Sequence, residues 1–596
     1  MKRFLLFLLL APMWVFAQSI ETIKTDPQYL WGEGKGETME EAEQQALNNL
    51  VSKISVSVES SFSNVTDKVV NNGHVDATTA LNSVIKTYSS ATLTNTEELV
   101  VSLEPDAHVF RYILRSDVNK IFESRKNKVF DYITLAQKAE GKRQIDDALR
   151  YYYWALCMLR SLPDANMVTL PGQTISLMTW IPDQMDEVFT NIKVKKVDEE
   201  PELVKLEITY QGQPVASFDY TYYDGRSKTN IYSAADGVGI MELQPGYSTD
   251  NLEIWAEYKF ANQSKHDNEL SKVIEVMKSV PASKKSSIRV EQGPKRGGGG
   301  RGGSTISKTE DLPITMVEGS EVVSYEDIMS KVVQAIKAKS YASVSDYFTP
   351  EGKDMFEKLL HYGNARILEE PQLNYIKAGK EVICKSIPMS FSFKGNSRKF
   401  VENVIFTFDE NQKINCVSFG LSKEASTDIL KRTDYSEQAR IVLTQFLENY
   451  KTAFALKRLD YIQSIFDDNA IIITGTVLKK TDYKSKEERT KFLDNPIIKY
   501  KQFSKKEYIK HLESCFRSNE YVNIHFSNND IVRASDEFGE VYGIQIRQDY
   551  YSTNYGDSGY LFLYVDLNDP DQPVIKVRTW QPERDPNFGL YGMGDF

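Results

Sequence analysis

Cysteine and histidine are scarce in this chain of 596 residues, which has four cysteines and six histidines. An exported chain of this size with so few cysteines is not a disulfide-stapled scaffold. No C-x-x-C occurs, and no Cys/His group has zinc-site spacing, so we expect no metal. Cys384 and Cys416 fall within one candidate domain and could pair if adjacent strands bring them together. We expect buried free thiols instead.

An excess of positive charge is also lacking. The formal net charge is −11, with 72 Lys and Arg against 83 Asp and Glu. A general nucleic-acid binder would carry a basic face, so we expect no nucleic-acid partner. The composition, 41% hydrophobic and 26% charged, is ordinary for a folded soluble protein. The length suggests several domains, at about 100–200 residues each.

Long apolar runs are missing after the first 17 residues. Lys2 and Arg3 precede an apolar run that ends at Ala17, with small residues at the two positions that a signal peptidase reads. This pattern predicts a signal peptide at 1–17. The alternative, a membrane anchor, is weaker because a spanning helix takes about 20 residues. We expect an exported protein, in the periplasm or associated with the outer membrane, without a transmembrane segment after cleavage.

The segment WGEGKGETMEE at 31–41 raises the question of a phosphate-binding loop. Such a loop requires G-x-x-x-x-G-K-[ST]. Here Lys35 is followed by Gly36, and the glycines fall at every second position. Glutamates also crowd the start of the following helix, where they would repel a phosphate. We instead expect the glycines to turn a strand into a helix capped by Thr38, with a further strand at 54–58.

Residues 28–117 are predicted to form a small α+β domain that begins with this segment. The domain resembles the LPP-type twenty-kilodalton bacterial lipoprotein family. The residues that carry the resemblance are W-G-E-G-K-G at 31–36, Glu41, Ala42, Ala46, Leu50, the run 54–58 and Phe110 to Leu114. The resemblance implies an envelope-associated, non-enzymatic module. It does not imply a lipid anchor, because the signal segment has no cysteine.

The middle of the chain divides into three segments. Residues 118–165 are predicted to form a helical hairpin similar to half of a tetratricopeptide repeat, packed on a neighbour rather than offering a peptide groove. Short alternating strands at 190–280 predict an immunoglobulin-like β-sandwich. Residues 281–316 read as a Gly/Lys/Arg linker. Its basic strip, 278–301, is expected to be a solvated tether, with contact to lipid headgroups as the alternative.

Two copies of one pattern follow the linker, at 320–425 and 433–586. AIKAKSYASVSDYF (335–348) aligns with AFALKRLDYIQSIF (453–466), and each copy then passes into long strands. Helices followed by a curved antiparallel meander resemble the cone-shaped nuclear-transport-factor-two-like, or cystatin-like, fold. The predicted fold class is therefore multidomain α+β, with two such cones at the C-terminal end.

Enzymes and carriers with cone folds use the inside of the cone, and the resemblance places a candidate ligand site in the second copy. The candidates are His525, Asp549, Tyr550 and Tyr564, a base and hydroxyl set of the kind used in acid–base chemistry. The alternative for each is a solvent-facing or strand-end residue. No catalytic set and no cofactor motif are recognised elsewhere.

Two functions are compatible with these observations. The first is an exported, non-enzymatic scaffold or binding protein of the bacterial envelope, whose partners are envelope proteins or peptides. The second is a small-ligand carrier or enzyme that uses the cavity of the last cone. Because the sequence assembles no catalytic group, we expect the first.

Overall fold

The computed structural model describes residues 20–66, 96–259, 268–277, 287–293, 313–477, 498–517, 522–552 and 556–596, apart from gaps at 163, 171, 173, 369–370, 372, 395–397 and 586–587. The predicted signal peptide, 1–17, lies outside these residues, as does most of the basic strip 278–301. A bilayer-spanning helix is not found among the described residues. The architecture is multidomain α+β, with several sheets.

The N-terminal domain is a three-stranded sheet with one long helix across it. Its elements are β1 (Tyr29–Gly36), α1 (Met39–Thr66), β2 (Glu97–Ser102) and β3 (Ala107–Leu114), and the strand order is β1-β3-β2. The predicted strand at 54–58 is wrong, since these residues continue α1. Buried Ala42, Ala46, Leu50 and Ile54 form one helical stripe against the sheet, and this packing overrides the local strand pattern.

The alternating glycines lie inside β1. The prediction that they form a turn between a strand and the following helix is therefore wrong. A Cβ atom on Gly32 would lie 2.2 Å from the carbonyl oxygen of Ala46, and one on Gly34 would lie 2.1 Å from that of Ala42. The every-second spacing therefore clears one face of the strand, so that α1 can rest directly on its backbone.

The helices of the next segment join the N-terminal domain to the middle of the chain. They are α2 (Arg115–Gly141), which begins directly after β3, α3 (Ile145–Arg160) and α4 (Leu177–Asn191). All but one of the α3 side chains from Ile145 to Leu159 are buried. Leu50 of the first domain, Trp154 of α3 and Phe218 of the next domain belong to one continuous hydrophobic core.

The middle domain is a closed ring of strands. Its elements are β4 (Ile192–Glu200), β5 (Leu203–Tyr210), β6 (Gln213–Pro214), β7 (Ser217–Tyr222), β8 (Ile231–Ala235), β9 (Val238–Glu242), β10 (Glu253–Ala256), α5 (Asn268–Met277) and β11 (Ser287–Gln292). The pairing runs β4-β5-β9-β8-β7-β10-β11 and returns to β4 through the parallel pair β11–β4. The sequence pattern predicts a sandwich, but these strands form a seven-stranded barrel.

Two interactions explain the difference from the predicted sandwich. Strand β11 closes the ring although it falls in the predicted linker 281–316, and its Ile288 and Val290 are buried. Strands β8 and β9 pair at one position only. The hydroxyl of Tyr220 then bonds to the backbone N–H of Ile240 (2.8 Å) and to its carbonyl oxygen (2.6 Å), so a side chain replaces the missing ladder.

The first C-terminal domain places helices against an antiparallel meander. Its elements are α6 (Ser320–Lys337), a 3-10 turn (Tyr341–Tyr347), α7 (Pro350–Phe356), a π turn (Glu357–His361), β12 (Arg366–Ile367), β13 (Asn374–Ala378), β14 (Glu381–Phe391), β15 (Arg398–Phe408) and β16 (Ile414–Phe419). Each of β13 to β16 pairs antiparallel with the next. The start of β15 also pairs in parallel with β8 of the barrel, so the two domains share one sheet.

The second C-terminal domain repeats the meander and lengthens it. Its elements are α8 (Lys423–Leu430), α9 (Glu437–Ala455), α10 (Leu459–Ser464), β17 (Phe466–Val477), β18 (Ile498–Phe503), α11 (Lys505–Arg517), β19 (Val522–Arg533), β20 (Val541–Ser552), β21 (Gly556–Asp566) and β22 (Val574–Gln581). The strand order is β18-β17-β22-β21-β20-β19. Helix α9 packs on this sheet with one side and on the first domain with the other.

The described cysteines are free thiols, including Cys384 and Cys416. Cys384 lies on β14 and Cys416 on β16, and β15 runs between these strands. Burial raises the pKa of each of these two thiols to about 12, which keeps them protonated near neutral pH.

Candidate functional site

Tyr550 and Tyr564, two of the four predicted site residues, lie on opposite faces of the second C-terminal sheet. Tyr550 is partly buried and packs against the hydrophobic core beneath the sheet. Tyr564 is flanked on β21 by Leu563 and Val565, both fully buried in that core. Because side chains alternate along a strand, Tyr564 lies on the outer face and not inside the domain.

His525 and Asp549 are brought together only at the level of the backbone. They are register partners in the antiparallel pair β19–β20. Their side chains lie outside the described part of the structure. Of the four candidates, only Tyr550 and Tyr564 have described side chains, and these two lie on opposite faces of the sheet.

The inside of the second C-terminal domain is filled by aliphatic and aromatic side chains, and Arg578 is buried beside them. Arg578 is 6% exposed, and its guanidinium carbon lies 5.0 Å from the centre of the Tyr508 ring. Its Nε donates to the hydroxyl of Tyr450 at 3.4 Å. Arg578 was not among the predicted site residues, because a β-bulge beside Val565 shifts the alternation of β22 and turns this residue inward.

A cleft with a volume of about 590 Å³ opens where the barrel meets the first C-terminal domain. Its lining comes from both domains and includes four cations and two carboxylates. The lining residues are Glu200, Ile240, Glu242, Ile336, Lys337, Lys339, Asn364, Ala365, Arg366, Ile367, Ser390, Phe391, Ser392 and Lys399. A volume of this size suits a small organic ligand.

Ion pairs cross the cleft from the barrel to the C-terminal domain. Arg366 contacts the carboxylate of Glu200 at 3.2 Å. Lys399 bonds to the carboxylate of Glu242, which also accepts from the hydroxyl of Tyr232 at 2.9 Å. Burial lowers the pKa of Lys339, and the nearby positive charge of Arg366 lowers it further. Arg366 and Lys339 are therefore close enough to repel each other.

The WGEGKG segment forms a second cluster of charged and aromatic groups, on the face of β1 opposite its glycines. Trp31 stacks on Phe110, with ring centres 5.5 Å apart, and the Lys53 ammonium lies 3.1 Å from the centre of the Trp31 ring. Glu33 accepts from Lys24 at 2.8 Å and lies 2.6 Å from Nε2 of His108.

Burial alone would raise the pKa of Glu33, but the bonds from Lys24 and His108 hold it below its ordinary value. The glutamate is therefore ionised near neutral pH and joins Lys24, which precedes β1, to His108 of β3. In the described part of the chain, no group of three or more His, Cys, Asp or Glu side chains is placed to hold a metal ion.

Residues 12–111 match the family model of the LPP20 lipoproteins. The match confirms the predicted resemblance of the N-terminal domain. It describes that domain only, because it covers well under half of the chain. No curated protein sequence matches the chain.

The chain is similar to several solved structures at low identity. Bd1075 of Bdellovibrio bacteriovorus is 18% identical over 24% of this chain and 41% of its own length, with a TM-score of 0.18. A protein named as a scytalone dehydratase from Novosphingobium aromaticivorans is 12% identical over 26% of this chain and 89% of its own, with a TM-score of 0.18. A naphthalene 1,2-dioxygenase is 9% identical over 27% and 88%, with a TM-score of 0.19.

The last two structures have nuclear-transport-factor-two-like folds, the class that the sequence predicts for the C-terminal domains. At these TM-scores the likenesses assign neither fold nor activity to this chain. The chain spans only 41% of the length of Bd1075, so nothing of that protein's role transfers.

Proposed function

We propose that this protein is an exported, non-enzymatic scaffold of the bacterial envelope that holds envelope proteins or peptides. The observation that carries the proposal is the shared sheet. At Arg398, Lys399 and Phe400, strand β15 of the first C-terminal domain pairs in parallel with β8 of the barrel. Backbone pairing between domains makes a stiff connection, whereas independent modules are usually joined by a flexible linker.

Buried charge reinforces this connection. Arg398 contacts the carboxylate of Asp219 at 3.0 Å, and Asp219 is 2% exposed. The hydroxyl of Ser233 donates to the same carboxylate at 2.5 Å. A buried carboxylate without its cation would be costly, so these contacts favour the joined arrangement of the two domains.

The turn between β8 and β9 adds a second contact across the junction. Asp236 adopts a φ of 49°, and its carboxylate accepts from the backbone N–H of Lys423 at 3.0 Å. The side-chain amide of Asn403 donates to the same carboxylate. One residue of the barrel therefore binds both β15 and the start of α8.

Helix α9 connects the two C-terminal domains in a similar way. Lys451 bonds to the carboxylate of Glu402 at 2.9 Å and to the carbonyl oxygen of Gly420 at 3.2 Å. Thr452 accepts from the backbone N–H of Phe419 at 2.8 Å. The opposite side of α9, with Phe446 and Tyr450, fills the core of the second domain.

These contacts support a body in which the barrel and both C-terminal domains keep fixed positions, as a scaffold requires. The match of the N-terminal domain to LPP20 lipoproteins supports an envelope location. We also propose that the two C-terminal domains are cones of the cystatin-like class, supported by a helix lying across a four-stranded meander in each.

The test is fractionation of cells followed by crosslinking in place. We expect the mature chain in the envelope fraction, with the same partner captured from the barrel and from the C-terminal domains. Arg398→Met, which loosens the junction, should reduce capture from one side of it. Lys331→Met provides a control for the loss of one exposed positive charge. An uncleaved chain in the cytosol, or turnover of a metabolite by the purified protein, would contradict the proposal.

A further inference from the structure

We propose that the cleft between the barrel and the first C-terminal domain binds a small organic phosphate. The cleft is formed by both domains at the edge of their shared sheet. Glu200, Ile240 and Glu242 come from the barrel, and the other lining residues come from the C-terminal domain. This inference goes beyond the scaffold role and does not depend on it.

The charge of the lining favours a ligand with more than one negative charge. Lys337, Lys339, Arg366 and Lys399 outnumber Glu200 and Glu242 among the lining residues. A second lysine, Lys205, which is not part of the lining, bonds to Glu200 at 2.7 Å. Lys205 also bonds to Asp198 at 3.1 Å, so the excess of positive charge in the lining comes from Lys337 and Lys339.

Lys339 is held in position by the protein itself. It has a φ of 54°, a conformation that is strained for a side chain with a Cβ. Its ammonium donates to the carbonyl oxygen of Ala365 and to Oδ1 of Asn364, at 3.4 Å for the latter. An ammonium has three N–H donors, and these bonds use two of them. A phosphate oxygen can accept the third.

Arg366 follows Ala365, whose carbonyl oxygen accepts from the Lys339 ammonium, and the positive charge of Arg366 acts on that ammonium. Their mutual repulsion contributes to the lowered pKa of Lys339. An anion between them would offset that repulsion and favour the charged form of the lysine. Arginine binds phosphate through two parallel N–H bonds, and lysine adds a point charge.

The remaining wall of the cleft is apolar. Ile240, Ile336, Ile367 and Phe391 line it beside the charged groups. Inorganic phosphate would leave this surface and most of the 590 Å³ volume in contact with water. An organic body attached to the phosphate would cover the apolar wall. Both a free sugar phosphate and a phospholipid headgroup have this chemistry.

Titration calorimetry of the full chain tests the proposal. The probes are glucose 6-phosphate, glucose as the uncharged control, and vesicles of phosphatidylglycerol or phosphatidylcholine. We expect binding of glucose 6-phosphate or of the phosphatidylglycerol vesicles, but not of their uncharged or zwitterionic counterparts. Lys339→Gln and Arg366→Gln should each weaken that binding about tenfold, the effect of losing one charge-assisted contact.

Two control variants separate binding from folding. Lys457 occupies the same turn in the second C-terminal domain and makes the same kind of bond to a carbonyl oxygen. Lys457→Gln should therefore cause the structural loss of Lys339→Gln while leaving the affinity unchanged. Lys331→Gln removes an exposed charge from α6 and should also leave the affinity unchanged.

The unmodified protein gives an independent readout. Bound glucose 6-phosphate should protect Lys339 and Lys399 from acetylation by acetic anhydride, relative to Lys331. Absence of binding by either phosphate probe, or binding that Lys339→Gln and Arg366→Gln leave unchanged, would overturn the proposal. Binding to phosphatidylglycerol vesicles alone would assign the phosphate to a lipid headgroup.

Discussion

The two C-terminal domains use the same turn, after α6 in the first and after α9 in the second. Lys339 follows α6 with a φ of 54°, and Lys457 follows α9 with a φ of 57°. In each case the next backbone N–H reaches a carbonyl oxygen in the helix, from Ser340 to Ala335 at 2.9 Å and from Arg458 to Ala453 at 2.8 Å. Both ammonium groups then donate to the carbonyl oxygen of another segment.

A phenylalanine fixes the end of the same segment in both copies. Phe348 forms a parallel bridge with Ile414 at the start of β16, and Phe466 forms one with Ile575 at the start of β22. These pairs hold the helical segment against the last strand of each meander. The aligned residues of the sequence repeat are therefore those that join helix to sheet.

The copies differ in what covers their outer surfaces. In the first domain, Ile441 of α9 packs on Ile383 and Ile405, and β15 extends into the barrel. In the second, β17 and β18 extend the sheet, and Phe596 of the C-terminal segment stacks on Phe562. The same arrangement of helix, turn and strand thus occurs in a domain that connects two others and in an outer domain. The two domains differ in the residues outside this shared arrangement.

The largest effect should come from removing the shared phenylalanine. Phe466 is 2% exposed and Phe348 is 8% exposed. Phe466→Ala should destabilise the second domain by about 3–5 kcal/mol, and Phe348→Ala should destabilise the first by somewhat less. Hydrogen exchange of β16 and β22 peptides reports each domain separately. Loss of protection in β22 on Phe348→Ala, without change in β16, would break the equivalence of the two copies.

A smaller effect is expected at the feature that only the first domain has. Arg398→Met removes the cation that faces buried Asp219, whose pKa burial already raises. Leaving this carboxylate without its cation should cost about 2–3 kcal/mol, less than a fully buried pair because Arg398 is partly exposed. Urea unfolding followed by exchange of β8 and β15 peptides measures it. Equal loss in β21 peptides would mean that the effect is not local to the junction.

The pH dependence of the junction should sharpen the contrast further. Burial raises the pKa of Asp236 to about 6, although the Lys423 N–H favours its ionised form. An unfolded Asp titrates near 3.9, so the folded chain gains a proton first as pH falls. This carboxyl therefore makes folding less favourable as pH rises from about 4 to about 6.

Asp236→Asn should remove that contribution. Between pH 7 and pH 5, the free energy of unfolding should rise more for the wild-type protein than for the variant. Chemical denaturation at both pH values, followed in junction peptides, gives the difference. If the free energy of unfolding rises as much for the variant as for the wild-type protein on acidification, Asp236 does not titrate in this window.

The smallest effect should be at the repeated lysine turn. Lys457→Gln removes the charge from the bond to the carbonyl oxygen of Phe516, which spans 2.9 Å, and should cost about 1 kcal/mol. Lys339→Gln should cost a similar amount in the first domain. Thermal unfolding in low salt compares the two variants. A cost several times larger in one copy would show that the turns are not equivalent.

The sequence predicted the repeat better than it predicted the elements around it. The alignment of Lys339 with Lys457 and of Phe348 with Phe466 corresponds to matching geometry. The starts of the two helices before these turns do not match, since α6 begins after Gly319 and Ser436 caps α9.

Long-range packing accounts for the other differences. The strand pattern at 54–58 is overridden by the helical stripe that rests on Gly32 and Gly34. Strand β11 was missed because its pairing partners, β4 and β10, are distant in sequence. The partner of each segment, β1 for the helix and β4 and β10 for β11, cannot be read from the segment itself.

The candidate sites also differ in whether the local sequence can reveal them. The alternation of Leu561, Leu563 and Val565 with Tyr564 is enough to place Tyr564 outside the domain. The cleft residues could not be found in this way. They come from segments between Glu200 and Lys399 that only the shared sheet brings together.

The proposal that the barrel and the first C-terminal domain keep fixed positions is tested most directly by hydrogen exchange at the β8–β15 pair of the intact protein. We expect the amides of 231–233 and 398–400 to be slow to exchange in the wild-type protein, and to lose protection together in Arg398→Met. Fast exchange of either segment in the wild-type chain, or loss of protection in one strand without the other, would contradict a sheet shared between the two domains.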